Sequence, residues 1–294
     1  MATEEYAARM SSTAAGPRRN TSGLSRDIEI LELLGGDASF ASGGLGVTQI
    51  AQRTGRDKAV VSRALSTLAD AGLVDRDDET LRYLPGSRLY ALAAHSAHAA
   101  LIAAARGALR HLVQTTRETS HLCVLSGGNV LTLLSELSPH EVRTTGWAGT
   151  TTAAWRTPSG RALLSDWDEG SLGRWYAEHG NDLPLMGPVD PGRSRSGFPV
   201  PDAPLPGTAP AADLESLILE LRGVRERGYA LSAEELEIGV VAASAPVTDF
   251  TGRVVAAINV SAPKDRIGDR LPTLGAHVAS TARELSARLG AAPQ

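Results

Sequence analysis

VTQIAQRTGRDKAVVSRALSTLADAGLVDRDDETLRYL, running from Val47 to Leu84, is the stretch on which the reading of this chain turns. Val47, Ile50 and Ala51 recur at three- and four-residue spacing, which places them on one face of a first helix, and Gly55 can supply the left-handed residue that ends it. Asp57 stands where a second helix would take its N-cap, and Val61, Ala64, Leu65 and Leu68 keep the same period until Gly72 closes that helix. Two helices with so short a joint must cross. Leu73 and Val74, then Leu81, Tyr83 and Leu84, flank the polar turn Asp77-Asp78-Glu79-Thr80 and predict a hairpin. Helix, turn, longer helix and β-ribbon together predict a winged helix-turn-helix.

With Val61, Leu65 and Leu68 turned inward, Ala59, Ser62, Arg63 and Ser66 fall on the opposite arc and Lys58 stands at the helix start. In a DNA-binding reading Arg63 could form a bidentate pair with guanine, Ser62 could bond a base or phosphate, and Ala59 could touch a thymine methyl. Gln49 on the first helix, with Arg76 and Arg82 on the wing, would then be phosphate contacts. Periodicity alone does not decide the matter, because crossing helix pairs also occur in domains that bind no nucleic acid. Charge does not decide it either. Basic and acidic residues are about balanced from Arg18 to Arg88, and only the run Arg53, Arg56, Lys58 and Arg63, opposed by Asp57, is locally basic.

The remainder of the chain alternates strand and helix signals. Ser87 to Glu118 reads as mostly helical, with Leu101, Ile102, Ala105, Leu109 and Leu112 as an apolar stripe that can pair with a second copy, pack on its own distal lobe or, since one helix has two sides, do both. Leu122–Leu125 and Val130–Leu134, around Ser126-Gly127-Gly128-Asn129, predict one hairpin; Val240–Val247 and Val254–Val260, around Asp249-Phe250-Thr251-Gly252, predict another. Helices are expected at Pro158–Trp167, Asp213–Arg227 and Leu271–Leu289. The fold class is therefore α+β, with a sheet covered by helices following the helical amino-terminal part. Met1–Thr21 reads as a flexible arm, and Gly180–Ala212 is too rich in proline for regular structure.

Composition bounds the function. At 294 residues and a net charge of −4 there is room for two domains and no global pull toward polyanions. One cysteine, Cys123, rules out an internal disulfide framework and suits a reducing compartment. No apolar run approaches the roughly twenty residues of a membrane span and the amino-terminal stretch lacks a signal-peptide core, so a cytoplasmic protein with no membrane partner is expected. Enzyme motifs are missing. The Gly-rich run GGDASFASGGLG at 35–46 lacks the lysine of a phosphate loop and is expected to be a flexible loop between helices. His95 and His98 have no carboxylate or thiol beside them, Glu234, Glu235 and Glu237 are too clustered for an acid–base pair, and there is no Gly-x-Ser-x-Gly elbow. No catalytic residue, metal or cofactor is expected.

Three stretches, in order, resemble the IclR family of bacterial transcription regulators: SGLSRDIEILELL leading into the helix pair with SRALSTLADAGLV; RTPSGRALLSDW; and VRERGYALSAEELEIGVVAASAPVTDFTGRVVAAINVSAP from Val224 to Pro263. The resemblance spans about Ser22 to Leu289. It implies a winged helix-turn-helix at 22–86, a linker helix at 87–99 and a GAF-like effector-binding domain at 100–294, after an arm at 1–21. It also implies a dimer that pairs again into a tetramer, a double-stranded operator and a small-molecule effector. Carried over position by position, its pocket falls on Pro158 and Ser159, Glu235, Asn259 and Ser261, with Ala242 where some relatives have cysteine. Trp155 stands where a histidine is frequent, and Ala59-Val60 replaces a Ser-Thr pair. All four tryptophans lie between Trp147 and Trp175, and Trp147 or Trp155 is expected as a lid or wall against an aromatic or hydrophobic effector, core filling being the alternative; an aromatic compound or an organic acid is the effector class expected. Two other functions stay open: a small-molecule sensor whose helix-turn-helix contacts protein, and a metabolic enzyme built on the distal lobe.

Overall fold

A computed structural model of the chain describes residues 23–94, 96–144, 151–180, 211 and 213–292. The expected arm Met1–Thr21, His95, Trp147 and the proline-rich stretch other than Gly180 and Ala211 lie outside the described residues. The chain divides into two compact units, Met1–Leu92 and Ala93–Gln294.

The first unit contains α1 (Gly23–Gly35), α2 (Asp37–Ala41), α3 (Val47–Thr54), α4 (Lys58–Asp70), β1 (Val74–Arg76), β2 (Tyr83–Pro85) and all but the last two residues of α5 (Ser87–Ala94). The apolar periods converge as their spacing requires: Ile30, Leu34, Ile50, Val61, Leu65 and Val74 form one buried cluster. Gly55 ends α3 at φ 64°, a left-handed conformation that glycine adopts without a Cβ penalty, and the Asp57 carboxylate accepts the Ala59 N–H at 2.8 Å to start α4. Arg56 then ties the joint to α1 by donating to the Arg26 carbonyl at 2.8 Å. β1 and β2 pair antiparallel with Arg76 opposite Tyr83.

The Gly-rich run is a correction to the sequence reading, since it contains α2 and an ordered exit in place of a flexible loop. The Gly44 N–H donates to the Ser39 carbonyl at 2.8 Å, and Leu45 then exchanges backbone hydrogen bonds with Tyr83, adding to the wing. The glycines serve chain reversal here, which composition alone does not distinguish from flexibility.

The helix expected over 87–118 is two helices. Ser96 accepts the Ala99 N–H and starts α6 (Ala97–Thr116) separately from α5. In the second unit a six-stranded antiparallel sheet runs in the order β5-β4-β3-β8-β7-β6, built from β3 (Thr119–Ser126), β4 (Asn129–Glu136), β5 (Thr151–Ala153), β6 (Ala230–Ala233), β7 (Val240–Thr248) and β8 (Val254–Pro263). The helices are α7 (Pro158–Leu163), α8 (Glu169–His179), α9 (Leu214–Arg227), α10 (Lys264–Ile267) and α11 (Leu271–Arg288). Strand alternation splits the sheet into two faces. Leu122, Val124, Val241, Ala243, Ile258 and Val260 pack against Ala105, Leu109 and Leu112 of α6 and Leu274, Val278 and Leu285 of α11. The apolar stripe of α6 is thus consumed by its own unit. Residues of the opposite phase face α7, α8 and α9, where Cys123, Val130 and Ala257 join Leu163, Leu172 and Leu217.

Candidate functional site

The outer arc of α4 is built by the same periodicity that buries its inner side. Val61 and Leu65 are fully buried, while Lys58, Ala59, Ser62, Arg63 and Ser66 are exposed on one continuous surface. The three remaining nucleic-acid candidates are partly engaged in the frame. Gln49 is exposed, but its Oε1 accepts the Gly46 N–H at 2.9 Å and caps α3. The Arg76 guanidinium lies 5.8 Å from the centre of the Tyr83 ring. Arg82 is half-buried and donates to the Ser42 carbonyl, fastening the wing to the loop before α3. The wing turn is closed by Asp77, which accepts from the Glu79 and Thr80 N–H groups and the Thr80 hydroxyl; these bonds hold its carboxyl below the usual range.

A cavity of about 420 Å³ opens over the sheet face opposite α6 and α11. All six strands reach it: Ser232 from β6, Ala242 from β7, Asn259 and Ser261 from β8, His121 and Cys123 from β3, Val130 and Thr132 from β4, and Thr152 from β5. Thr157, Pro158 and Ser159 at the start of α7 form one wall, and Val142, Arg143 and Thr144 form another. The Thr157 hydroxyl accepts the Gly160 N–H at 2.9 Å and caps α7. Gly160 fixes how closely α7 lies to the preceding turn, because a Cβ there would stand 1.9 Å from the Ala154 carbonyl oxygen. His121 bridges the floor, with Nδ1 2.9 Å from Ser135 Oγ and Nε2 3.0 Å from Ser261 Oγ; Ser261 Oγ lies 2.9 Å from Thr144 Oγ1. Burial lowers the His121 pKa to about 4, so the ring is neutral at pH 7, and burial pushes the Cys123 thiol up to about 11, so it stays protonated.

The wall at Val142 is anchored from behind. Arg266 donates through Nε and Nη2 to both oxygens of the nearly buried Glu118 carboxylate, at 2.6 and 2.7 Å, and through Nη1 to the Val142 carbonyl at 2.9 Å. Glu118 directly follows the residue that ends α6, Arg117, and the Arg117 carbonyl accepts the Ser138 hydroxyl at 2.6 Å.

The structure brings Pro158, Ser159, Ala242, Asn259 and Ser261 together around one cavity; Trp155 and Glu235 do not line it. Trp155 lies in the turn after the edge strand β5, 4 % exposed, with its ring T-shaped to Tyr176 of α8 and the Arg156 guanidinium 4.4 Å over it. It fills the helix-covered core, the alternative reading of the tryptophans. Glu235 is drawn away from the rim by Arg161 of α7, a side chain with no exposure at all, whose Nη1 donates to Oε2 at 2.8 Å and Nη2 to Oε1 at 3.2 Å. Burial pushes the Glu235 carboxyl above its usual range while Arg161 pulls it back. Sequence reading missed His121, Thr132, Thr144, Thr152 and Ser232. The signal for His121 was present: in HLCVLS and AINVSAP the polar and small residues occupy alternate positions, which is what a strand presents when one face meets a core and the other a polar hollow.

Two family profiles match the chain: the IclR helix-turn-helix domain at residues 23–78 and the bacterial transcriptional regulator IclR C-terminal domain at 207–287. The HTH-type transcriptional regulator BhcR of Paracoccus denitrificans is 34% identical over 274 residues, which is 92% of this chain and 88% of that protein. Among solved structures, an IclR transcriptional regulator from Alicyclobacillus acidocaldarius aligns with a TM-score of 0.67 at 24% identity, covering 90% of this chain and 97% of its own. An IclR homologue from Microbacterium hydrocarbonoxydans, complexed with 4-hydroxybenzoate, aligns with a TM-score of 0.69 at 19% identity, covering 91% of this chain and 100% of its own.

Proposed function

This chain belongs to the IclR family of transcriptional regulators, and from that premise we propose that it binds a specific duplex operator through α4 and that a small molecule in the cavity of the second unit tunes that binding. The observation that carries the proposal is the division of α4: Val61, Leu65 and Leu68 are buried on one side, and Lys58, Ala59, Ser62, Arg63 and Ser66 stand in solvent on the other. Arg63 and Ser62 read base edges in the major groove, and Lys58 and Ser66 meet phosphates. Arg76 and Arg82 flank them from the wing.

The amino-terminal 22–86 form the DNA-binding domain, 87–99 the connection and 100–294 the effector domain. A two-fold pair of chains would present two α4 helices to a pseudo-palindromic site. Tyr90 and Leu92 of α5, 79% and 62% exposed, offer apolar surface for that pairing. The effector is a small aromatic compound or organic acid, consistent with the cavity volume and with the ligand of the Microbacterium homologue. A coupling of about 1–3 kcal/mol between ligand and operator suffices for a clear switch.

Selection of duplexes from a random library, followed by mobility shift, tests the DNA reading. Enrichment of a sequence with two related half-sites is expected. No enrichment, or a selected operator bound equally well after Arg63→Ala with Ser62→Ala, would sink the assignment of α4.

A further inference from the structure

The polar groups of the cavity are of two kinds. Those of His121, Ser261 and Thr144 already bond one another. Those of Asn259, Ser232 and Thr152 are more than nine-tenths buried, line the cavity and have no side-chain hydrogen-bond partner among the described residues. Asn259 sits at the centre of the floor, opposite His121 on β3 and Ser244 on β7. Its amide can both donate and accept, and each hydroxyl can do the same. These are the groups an occupant would satisfy.

Formal charge is arranged differently. Among the described residues the buried lining holds no arginine or lysine; the one arginine that lines the cavity, Arg143, is exposed, as is the lining carboxylate Glu237. Arg161, which is fully buried, does not line the cavity and is occupied by Glu235. The Gly160 N–H at the start of α7 is already taken by Thr157. An anionic group pressed to the floor would therefore lose its hydration without gaining a counter-charge, a loss that hydrogen bonds from neutral groups repay only in part.

Resting on the effector-responsive reading above, we propose that the cavity selects a small molecule whose buried polar groups are uncharged hydroxyls or carbonyls, one met by Asn259 on β8 and another by Ser232 on β6. Such a molecule carries at most one anionic group, which stays at the mouth beside Arg143. The neutral state of His121 agrees with this polarity, since both its nitrogens are engaged with hydroxyls.

Matched compounds on one skeleton separate the alternatives. The probes are 4-hydroxybenzyl alcohol, 4-hydroxybenzoate and terephthalate, together with 1,5-pentanediol, 5-hydroxypentanoate and glutarate, each titrated calorimetrically into the full chain at pH 7.5. Binding is expected in at least one series for the alcohol or the hydroxy acid and not for the diacid. Asn259→Ala should weaken it about 10-fold and Ser232→Ala several-fold. Arg143→Ala should remove the advantage of the hydroxy acid over the alcohol and leave the alcohol unchanged. Two variants on different strands guard against one that fails to fold, and thermal unfolding followed by circular dichroism checks that each remains folded. A diacid that binds as well as its hydroxy acid overturns the proposal, as does an affinity that rises as pH falls from 8 to 6, which would mark a carboxylate pairing with a protonated His121. Binding by none of the six compounds also overturns it. The DNA reading fails separately, by loss of operator selection.

Discussion

The two units solve opposite problems with the same alternation of polar and apolar residues. α4 carries the side chains proposed to meet DNA outward on a small apolar core, and Ser62, Arg63 and Ser66 take no part in that core. The sheet turns the polar side chains proposed to meet an effector inward, so His121, Asn259 and Ser261 are part of the lining of an interior cavity. On the proposed function, binding and stability are therefore separable in the first unit and entangled in the second.

The sharpest way to break this contrast is at the buried ion pair behind the cavity. Glu235→Ala leaves the fully buried Arg161 without its partner and is expected to cost about 3–5 kcal/mol, read as a lowered denaturant midpoint of the second unit. A loss below 1 kcal/mol would show that solvent reaches this pair. In the first unit, Leu65→Ala removes a fully buried side chain and should cost about 3 kcal/mol, lowering the melting temperature of that unit while calorimetric ligand binding by the second is retained.

Acidification tests the inward-facing polar groups. His121 takes up a proton near pH 6.5 when unfolded but only near pH 4 when folded, so the unfolded state binds more protons between these values and stability falls as pH drops through that window. The full effect is about 3 kcal/mol. It should appear as a declining unfolding free energy from pH 7 to 4 that His121→Gln flattens; an unaltered slope in that variant would assign the loss to other groups. The smallest stability change is expected outside. Arg63→Ala should shift the unfolding free energy by no more than about 0.5 kcal/mol, yet cost about 1–3 kcal/mol in operator affinity. Equal losses in both would place Arg63 in the frame of the unit and end the contrast.

What could be seen in the sequence follows the range of the interactions. Gly55, Asp57 and the inward face of α4 were legible because the capping and burial that make them are local. The two hairpins were legible for the same reason. The sheet order was not: β3 pairs with β8, joining His121 to Asn259 across more than half the second unit, and no local pattern encodes that neighbour. Glu235 was misplaced because its partner, Arg161, lies 74 positions earlier in the chain, and a carboxylate in a turn looks the same with or without a buried arginine. Trp155 was misplaced because aromatic size suits a ligand wall and a helix contact equally, and the position of Tyr176 decides between them. Short β5 and β6 carry too few residues for a period to show.

The guanidinium of Arg266 has a mechanical consequence. One planar group spends two donors on the carboxylate next to the end of α6 and a third on the backbone of the cavity wall, so helix terminus and wall share a single rigid joint. Charge-assisted bonds of this kind weaken steeply with misalignment. An occupant that pushes residue 142 outward therefore either carries the guanidinium and Glu118 with it, and so reaches the helix end, or snaps the single bond to the Val142 carbonyl and uncouples the wall from that end.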